Sequence, residues 1–330
     1  MTQSGQLPAD RPGAVRVRVP AKINLRLSVG APRPDGFHPL DTVYQAISLY
    51  DEITVTPADR LRLTLDGVGA DTLPTGRGNL AVRAAQLLAD HLGVPPNVAI
   101  HLHKRIPLAG GLAGGSADAA AVLVGCDALW GGDLARTELA VLAAELGSDV
   151  PFLLFGGTAH GTGRGELVEP VRTAGRWHWV VAAAAGGLST PEVYRQLDVL
   201  RATGAAPPPA LGAPAPPTSR DAASPAPGRA VPDRLLAALC SDDPGELAAA
   251  LGNDLQPASI ALRPALRRTL DAGLAAGALA ALVSGSGPTC LYLAADAGDA
   301  GRIAAEVTDR GACRAAHVAH GPVPGATLLS

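Results

Sequence analysis

Residues 104–124 read KRIPLAGGLAGGSADAAAVLV. A strand-like run at 98–103 leads in, and two glycine pairs, Gly110–Gly111 and Gly114–Gly115, occupy the turn. Ser116 and Asp118 then stand where an alanine-rich helix is predicted over 117–130. That order suits an anion. Glycine lets the backbone approach a ligand closely and adopt positive φ, and the free N–H groups of a first helical turn, aided by the helix dipole, point at negative charge. A serine hydroxyl at that place either caps the helix or meets a metal carried by the phosphates. The spacing excludes two common phosphate loops: Ser116–Ala117 follows Gly115 where a Walker A loop needs Lys-Ser/Thr, and no GxGxxG occurs in the segment. The bland alternative is a glycine turn with a serine N-cap; two glycine pairs between a strand and a helix favour the phosphate.

Smaller groupings carry further chemistry. Ser284–Gly285–Ser286–Gly287 lies between two strand-like runs; it is either a hairpin turn or a set of backbone N–H groups for a second phosphate or a substrate oxygen. Asp149, in GSDVPFLLFGG, is either a capped turn or a catalytic carboxylate. Lys22 and Asn24 alternate with Ile23 and Leu25, so they share one strand face, exposed or functional. Phe37 and His38 follow a Pro-Asp-Gly turn, a context that argues for exposure rather than core packing.

The elements that position these residues follow from periodicity. Period-two alternation predicts strands at 14–19, 23–29, 42–49, 52–56 and 60–65, antiparallel partners joined by short turns. Helical spacing predicts a helix over 79–92, stopped at Gly93. Helices are predicted also over 136–146, 191–200, 235–251, 261–272 and 301–310, and strands at 98–103, 177–185, 279–283, 289–294 and 315–320. The runs 152–155 and 158–160 read as a hairpin of short strands. Residues 205–232 are dominated by Ala, Pro, Gly and Ser without an apolar period, and read as a flexible insertion. The expected class is α+β, with one domain over 1–172 and a second over 173–330 that carries the insertion at about 203–232.

Taken together, PAKINL at 20–25, the P-x-x-G-G-L-x-G-G-S loop at 107–116 and SGSGPT at 284–289 resemble the three motifs of the GHMP kinase family, in order and across nearly the whole chain. The stretches RPDGFHPLDTVYQAI (33–47), GNLAVRAA (78–85) and GSDVPFLLFGG (147–157) are most similar to members whose acceptor is 4-diphosphocytidyl-2-C-methyl-D-erythritol, in the non-mevalonate isoprenoid precursor pathway. The resemblance implies a ribosomal S5 domain 2-like N-terminal half and a ferredoxin-like C-terminal half. It implies transfer of the γ-phosphoryl group of ATP, with Mg²⁺, to the 2-hydroxyl of the acceptor.

Carried over by position, Asp149 matches the catalytic acid residue and Lys22 the lysine beside it. Pro107, Leu108, Ala109, Gly110, Gly111, Leu112, Ala113, Gly114, Gly115 and Ser116 match the ATP loop, Ser116 being the candidate for the metal on the nucleotide. Asn79 and Lys104 match positions near the nucleotide. Asn24, Phe37, His38, Thr190, Pro191, Tyr194 and Gly285 match the acceptor side, where Phe37 and Tyr194 would sandwich the cytosine and His38 would bond its polar edge. Ala109 and Ala113 stand where glycines are frequent, and Ala117 where a second hydroxyl is. The other readings are a different kinase of the family, such as homoserine kinase, and a non-catalytic ATP-binding regulator.

Composition bounds the partners. The chain has 330 residues, 47% hydrophobic and 17% charged, with a formal net charge of −3. Nothing there attracts nucleic acid or an anionic membrane, so an anion site must be local and the expected partner is a small molecule. Cys126, Cys240, Cys290 and Cys313 stand far apart without a CxxC pair, which argues against a zinc or redox site. Residues 1–12 lack a signal-peptide pattern and no apolar run reaches membrane-spanning length. A cytoplasmic enzyme, monomer or homodimer, is the expectation.

Overall fold

The computed structural model describes residues 13–108, 110–184, 186–206 and 233–330. Most of the expected insertion, residues 207–232, and Ala109 of the loop lie outside them.

The first layer is a mixed sheet. Strands β1 (Val15–Val29) and β2 (Leu40–Pro57) form a long antiparallel pair. After β3 (Arg62–Gly67) and helix α1 (Leu80–Leu92), strand β4 (Val98–Lys104) pairs antiparallel with β2 and parallel with β3. Helices α2 (Gly114–Trp130), α3 (Arg136–Leu146) and α4 (Val150–Phe155) follow, then β5 (Thr158–Thr162) on β2 and β6 (Leu167–Pro170) on β5. A second sheet begins at β7 (Trp177–Ala183); α5 (Thr190–Ala202), α6 (Asp233–Leu239) and α7 (Pro244–Ala250) follow, then a short β8 (Gly252–Asn253) that pairs parallel with β1 of the first sheet, and α8 (Gln256–Leu262) and α9 (Ala265–Ala275). Strands β9 (Ala280–Val283) and β10 (Cys290–Ala294), helix α10 (Ala297–Asp309) and β11 (Ala315–Gly321) complete the antiparallel order β11-β7-β10-β9. The chain ends in β12 (Thr327–Leu329), which returns to β1. The expected α+β, two-sheet architecture is thus observed.

Helix α2 is the pivot. Ala117 to Asp127 are buried on every side, because α2 packs on β1 and β2 and against α1, α3 and α4 at once. Small residues permit that closeness: a side chain at Gly125 would meet Val17 and Val55 at 3.1 and 3.2 Å. The two sheets are joined by a buried amide, Gln45, whose Oε1 accepts from Trp179 Nε1 at 3.0 Å and whose Nε2 donates to Thr158 Oγ1 at 3.1 Å.

Several predicted elements differ from the observed ones. The strand pairs 14–19/23–29 and 42–49/52–56 are single long strands; Pro20 is tolerated inside β1 because the register shifts between Pro20 and Ala21, which absorbs its missing donor. Residues 150–155 are helix, not strand. Their apolar run is fully buried up to Leu154 and has no period to read, while Pro151 in the first turn and Gly156 at φ 68° set helical bounds. The helix predicted over 235–251 is two helices: Asp243 accepts from Gly245 N at 2.7 Å and Pro244 opens α7. Likewise Pro264 separates α8 from α9. Helix α2 starts three residues before the predicted Ala117, so Gly114, Gly115 and Ser116 are its first turn. No helix among the described residues is long and apolar enough to cross a membrane.

Candidate active site

A cavity of about 1090 Å³ opens where the middle of β1, the start of α2, the start of α4, the start of α5 and the Ser284–Gly287 turn converge. Of the predicted residues, it is lined by Lys22, Asn24, Phe37, His38, Pro107, Leu108, Gly110, Gly111, Ala113, Gly114, Gly115, Ser116, Asp149, Thr190, Pro191, Tyr194 and Gly285.

At its centre Lys22 and Asp149 face each other, Nζ to Oδ2 at 3.6 Å. Lys22 is held rigidly. Its Nζ donates to Asn24 Oδ1 at 2.9 Å, Asn24 Nδ2 donates to Thr42 Oγ1 at 2.7 Å, and Thr42 Oγ1 donates to the Arg26 carbonyl at 2.7 Å. The ammonium also lies 5.2 Å from the centre of the Tyr44 ring, a cation–π distance. Asp149 precedes α4 but makes no capping hydrogen bond, which removes the capped-turn alternative for its side chain. It keeps its carboxylate, about one-third exposed at 29%, for the cavity. Burial first, and then the charge of Asp149, push the Tyr44 phenol well above its ordinary range, so it stays a neutral donor.

The glycine loop and the Ser284–Gly287 turn dock on one another. A side chain at Gly110 would strike the Gly287 carbonyl, and one at Gly111, where φ is +98°, the Ser284 carbonyl. Ser284 Oγ donates to the Gly111 carbonyl at 2.8 Å, and Lys22 N donates to Leu112 O at 3.2 Å. From the far side Asn253 Nδ2 donates to the Val283 and Gly285 carbonyls at 2.8 and 2.7 Å. Ala113 adopts φ 57° as the residue before α2, the left-handed conformation that explains why glycine is otherwise favoured there. Ser116 has no hydrogen-bond partner among the described residues; its hydroxyl remains available at the helix start.

Lys104 and Asn79 are not among the residues that line the cavity, and Leu112 is core. Asn79 caps α1, accepting from Ala81 N at 2.9 Å. Lys104 is 1% exposed and lies beneath the loop, donating to Asp51 and, at 2.7 Å, to Asp118 Oδ2. Asp51 also accepts from Arg105 N at 2.6 Å and Ile106 N at 2.8 Å. One buried ammonium thus serves two buried carboxylates, and Asp118 Oδ1 has no partner among the described residues. Burial, reinforced by Asp51 against the pull of Lys104, raises the Asp118 carboxyl to about 8. The folded chain therefore holds a proton that the unfolded chain releases above its ordinary pKa of about 3.9. This contribution is complete below about pH 4 and declines as pH rises to about 8. Asp118→Asn, a neutral isostere, should remove it: in denaturant melts from pH 5 to 9 the variant should gain on the wild type as pH rises. A difference that stays constant across that range would refute the assignment.

The sequence did not single out Thr42, Tyr44, Asp198 or Arg164. Asn24 and Tyr44 are register partners across β1 and β2, so the alternation of Thr42 and Tyr44 about the core residue Val43 was the available signal. Arg164 had none; its guanidinium lies 5.1 Å from the Phe37 ring centre. Phe37 is 51% exposed, at the cavity rim. Opposite, His38 and Tyr194 rings are 5.1 Å apart and tilted by 40°, and Thr190 Oγ1 shares a 2.9 Å hydrogen bond with Ser286 Oγ. Leu73, Pro107 and the half-exposed Leu108 also line the cavity. The cavity thus brings a glycine loop suited to an anion, a lysine–carboxylate pair, aromatic rings and apolar side chains together.

The chain and its fold match known proteins. The family model "GHMP kinases N terminal domain" matches residues 79–157, and "GHMP kinases C terminal" matches residues 235–313. The chain is 60% identical over 333 aligned positions to the 4-diphosphocytidyl-2-C-methyl-D-erythritol kinase of Salinispora tropica, covering 99% of this chain and all of that one. It is 52% identical to the enzyme of that name from Rhodococcus jostii, over 97% of this chain and 96% of the other. A crystal structure of 4-(cytidine 5'-diphospho)-2C-methyl-D-erythritol kinase superposes with a TM-score of 0.70 at 32% identity, covering 92% of this chain and 98% of that one. A homoserine kinase from Cytophaga hutchinsonii, at TM-score 0.68 and 18% identity over 98% and 100% of the two chains, shares the fold.

Proposed function

We propose that this chain, which belongs to the GHMP kinase family, transfers the γ-phosphoryl group of ATP to the 2-hydroxyl of 4-diphosphocytidyl-2-C-methyl-D-erythritol. The observation that carries this reading is the Lys22–Asp149 pair, 3.6 Å apart, between the glycine loop and the His38–Tyr194 end of one cavity. The full-length relatives at 52 to 60% identity bear the name of that activity, whereas the likeness to homoserine kinase extends to the fold alone.

The residues divide the work. The amides of Gly114, Gly115 and Ser116 head α2 and receive the phosphates, with the base of ATP against Leu73 and Leu108. No group of three or more His, Cys, Asp or Glu suited to a metal ion occurs among the described residues, so Mg²⁺ fits as the ion accompanying the nucleotide, with the free Ser116 hydroxyl as its protein contact. When bound, it neutralises phosphate charge. Asp149 accepts the proton of the 2-hydroxyl as that oxygen bonds the γ-phosphorus and the bond to ADP breaks. Lys22 sets a positive charge beside the Asp149 carboxylate and stabilises charge on the transferring group. Phe37 and Tyr194 flank the cytosine, Asn24 and Gly285 border the acceptor, and Thr190–Pro191 close the side near Ser286. The modest net charge and the local site support a small-molecule partner rather than nucleic acid, and the reading places the enzyme in the cytoplasm as a monomer or homodimer.

An ATP-dependent assay with that acceptor tests the reading: one phosphate should appear on the 2-hydroxyl, and no turnover with this acceptor would refute it. Tyr194→Ala should raise the KM for the acceptor about 10-fold, the size of a lost base–aromatic stack of 1–3 kcal/mol, with the KM for ATP unchanged. An unchanged acceptor KM would remove Tyr194 from the base site.

A further inference from the structure

His38 is 9% exposed, and one of its ring nitrogens is already committed. Nε2 lies 3.0 Å from Asp198 Oδ1, across 160 residues of sequence. Asp198 sits on α5 one turn beyond Tyr194, whose ring packs against His38, and all three residues line the cavity. An ionised carboxylate only accepts hydrogen bonds. Nε2 must therefore carry the proton, and in the neutral ring Nδ1 must carry the lone pair. Nδ1 has no partner among the described residues.

From this juxtaposition we infer that Asp198 is a positioning residue that sets His38 as a hydrogen-bond acceptor, so that the site selects an aminopyrimidine over a pyrimidinedione. The inference rests on the proposed cytidyl acceptor and deepens it. Cytosine presents an exocyclic amino group, a donor, at the carbon where uracil presents a carbonyl oxygen. An imidazole locked with its lone pair toward the base accepts from the first and repels the second. Without Asp198 the ring can exchange tautomers or rotate, and the tilted contact with Tyr194 alone does not distinguish its two nitrogens. Selection then weakens because the ring can donate to a carbonyl as easily as it accepts from an amine. The aromatic sandwich cannot supply this discrimination, since both bases have similar π faces.

The test compares CDP with UDP as direct binding probes, and the cytidyl with the uridyl acceptor in turnover, for the wild type and Asp198→Ala. The wild type should favour the cytidine member by at least about 100-fold, as a site built around a buried hydrogen bond rejects an analogue that cannot make it. Asp198→Ala should narrow that ratio by about 10-fold, equivalent to about 1.4 kcal/mol, through a higher KM for the cytidyl acceptor with little change in kcat. Nitrogen-15 NMR of His38 in the wild type should show the Nε2–H tautomer, and the variant a mixture. An undiminished CDP-to-UDP ratio in the variant overturns the inference. So does an Nδ1–H tautomer in the wild type, whether or not the variant folds, and so does equal or absent binding of CDP and UDP by the wild type. The reading of function fails separately: a wild type that selects CDP over UDP yet phosphorylates no cytidyl acceptor would keep Asp198 in its role and remove the assigned reaction.

Discussion

Asp149→Ala should lower kcat by about 10³-fold, within the range of a lost general base, while MgATP still binds. The two halves of this result have separate structural causes. Asp149 is placed by the start of α4 and faces Lys22 Nζ at 3.6 Å, whereas the phosphate-facing amides belong to the start of α2. Removing the carboxylate deletes the proton acceptor and leaves Lys22 without its counter-charge, but the Asn24–Thr42 chain still holds the ammonium. Single-turnover transfer of labelled phosphate measures the first half, and stabilisation of the variant by MgATP in a thermal melt measures the second. Retention of more than about a tenth of the wild-type rate, against the 10²–10⁴-fold ordinarily lost with such a group, would remove Asp149 from the chemistry.

Lys104→Met should act on the fold and, through it, on the loop. The substitution keeps the length of the side chain and removes the ammonium bonded to Asp51 and Asp118, both of which are buried. Deleting one partner of a buried ion pair costs about 3–5 kcal/mol because the charge left behind remains desolvated. Asp51 also accepts from the backbone of Arg105 and Ile106. Those two residues lead directly into the glycine loop, so a disturbed Asp51 also weakens the grip on ATP. Urea unfolding should therefore show a large loss of stability together with a higher KM for ATP. Combining Lys104→Met with Asp51→Asn should cost less than the sum of the single changes, because residues in one network couple. A variant of undiminished stability that fails only to bind ATP would instead place the ammonium on the nucleotide.

Local order was legible in the sequence. The alternation of Lys22 and Asn24 with Ile23 and Leu25 marked two polar residues on one face of β1, and the structure puts the apolar pair in the core and the polar pair at the cavity. The strand–glycine–helix order put the glycine loop between β4 and α2, and α3 runs from Arg136 to Leu146 as its periodicity predicts. Each of these signals comes from neighbours within a few residues, where backbone geometry dictates which side chains share a face.

The tertiary structure alone decided the rest. A short, wholly apolar run cannot declare its period, so α4 read as strand until burial on all sides and Pro151 made it helix. Motif position put Lys104 near the nucleotide; Asp51, 53 residues before it, and Asp118, 14 after it, are the carboxylates its ammonium meets. Whether a lysine faces a ligand or a buried carboxylate depends on which carboxylates the fold brings near it, and adjacent residues carry no record of that. His38 and Asp198 meet across 160 residues for the same reason. By itself the sequence determined which residue types were present to bind phosphate and move a proton; the packing of α2, α4 and α5 around β1 determined which of them face the cavity, because desolvation and pairing are properties of the assembled interior.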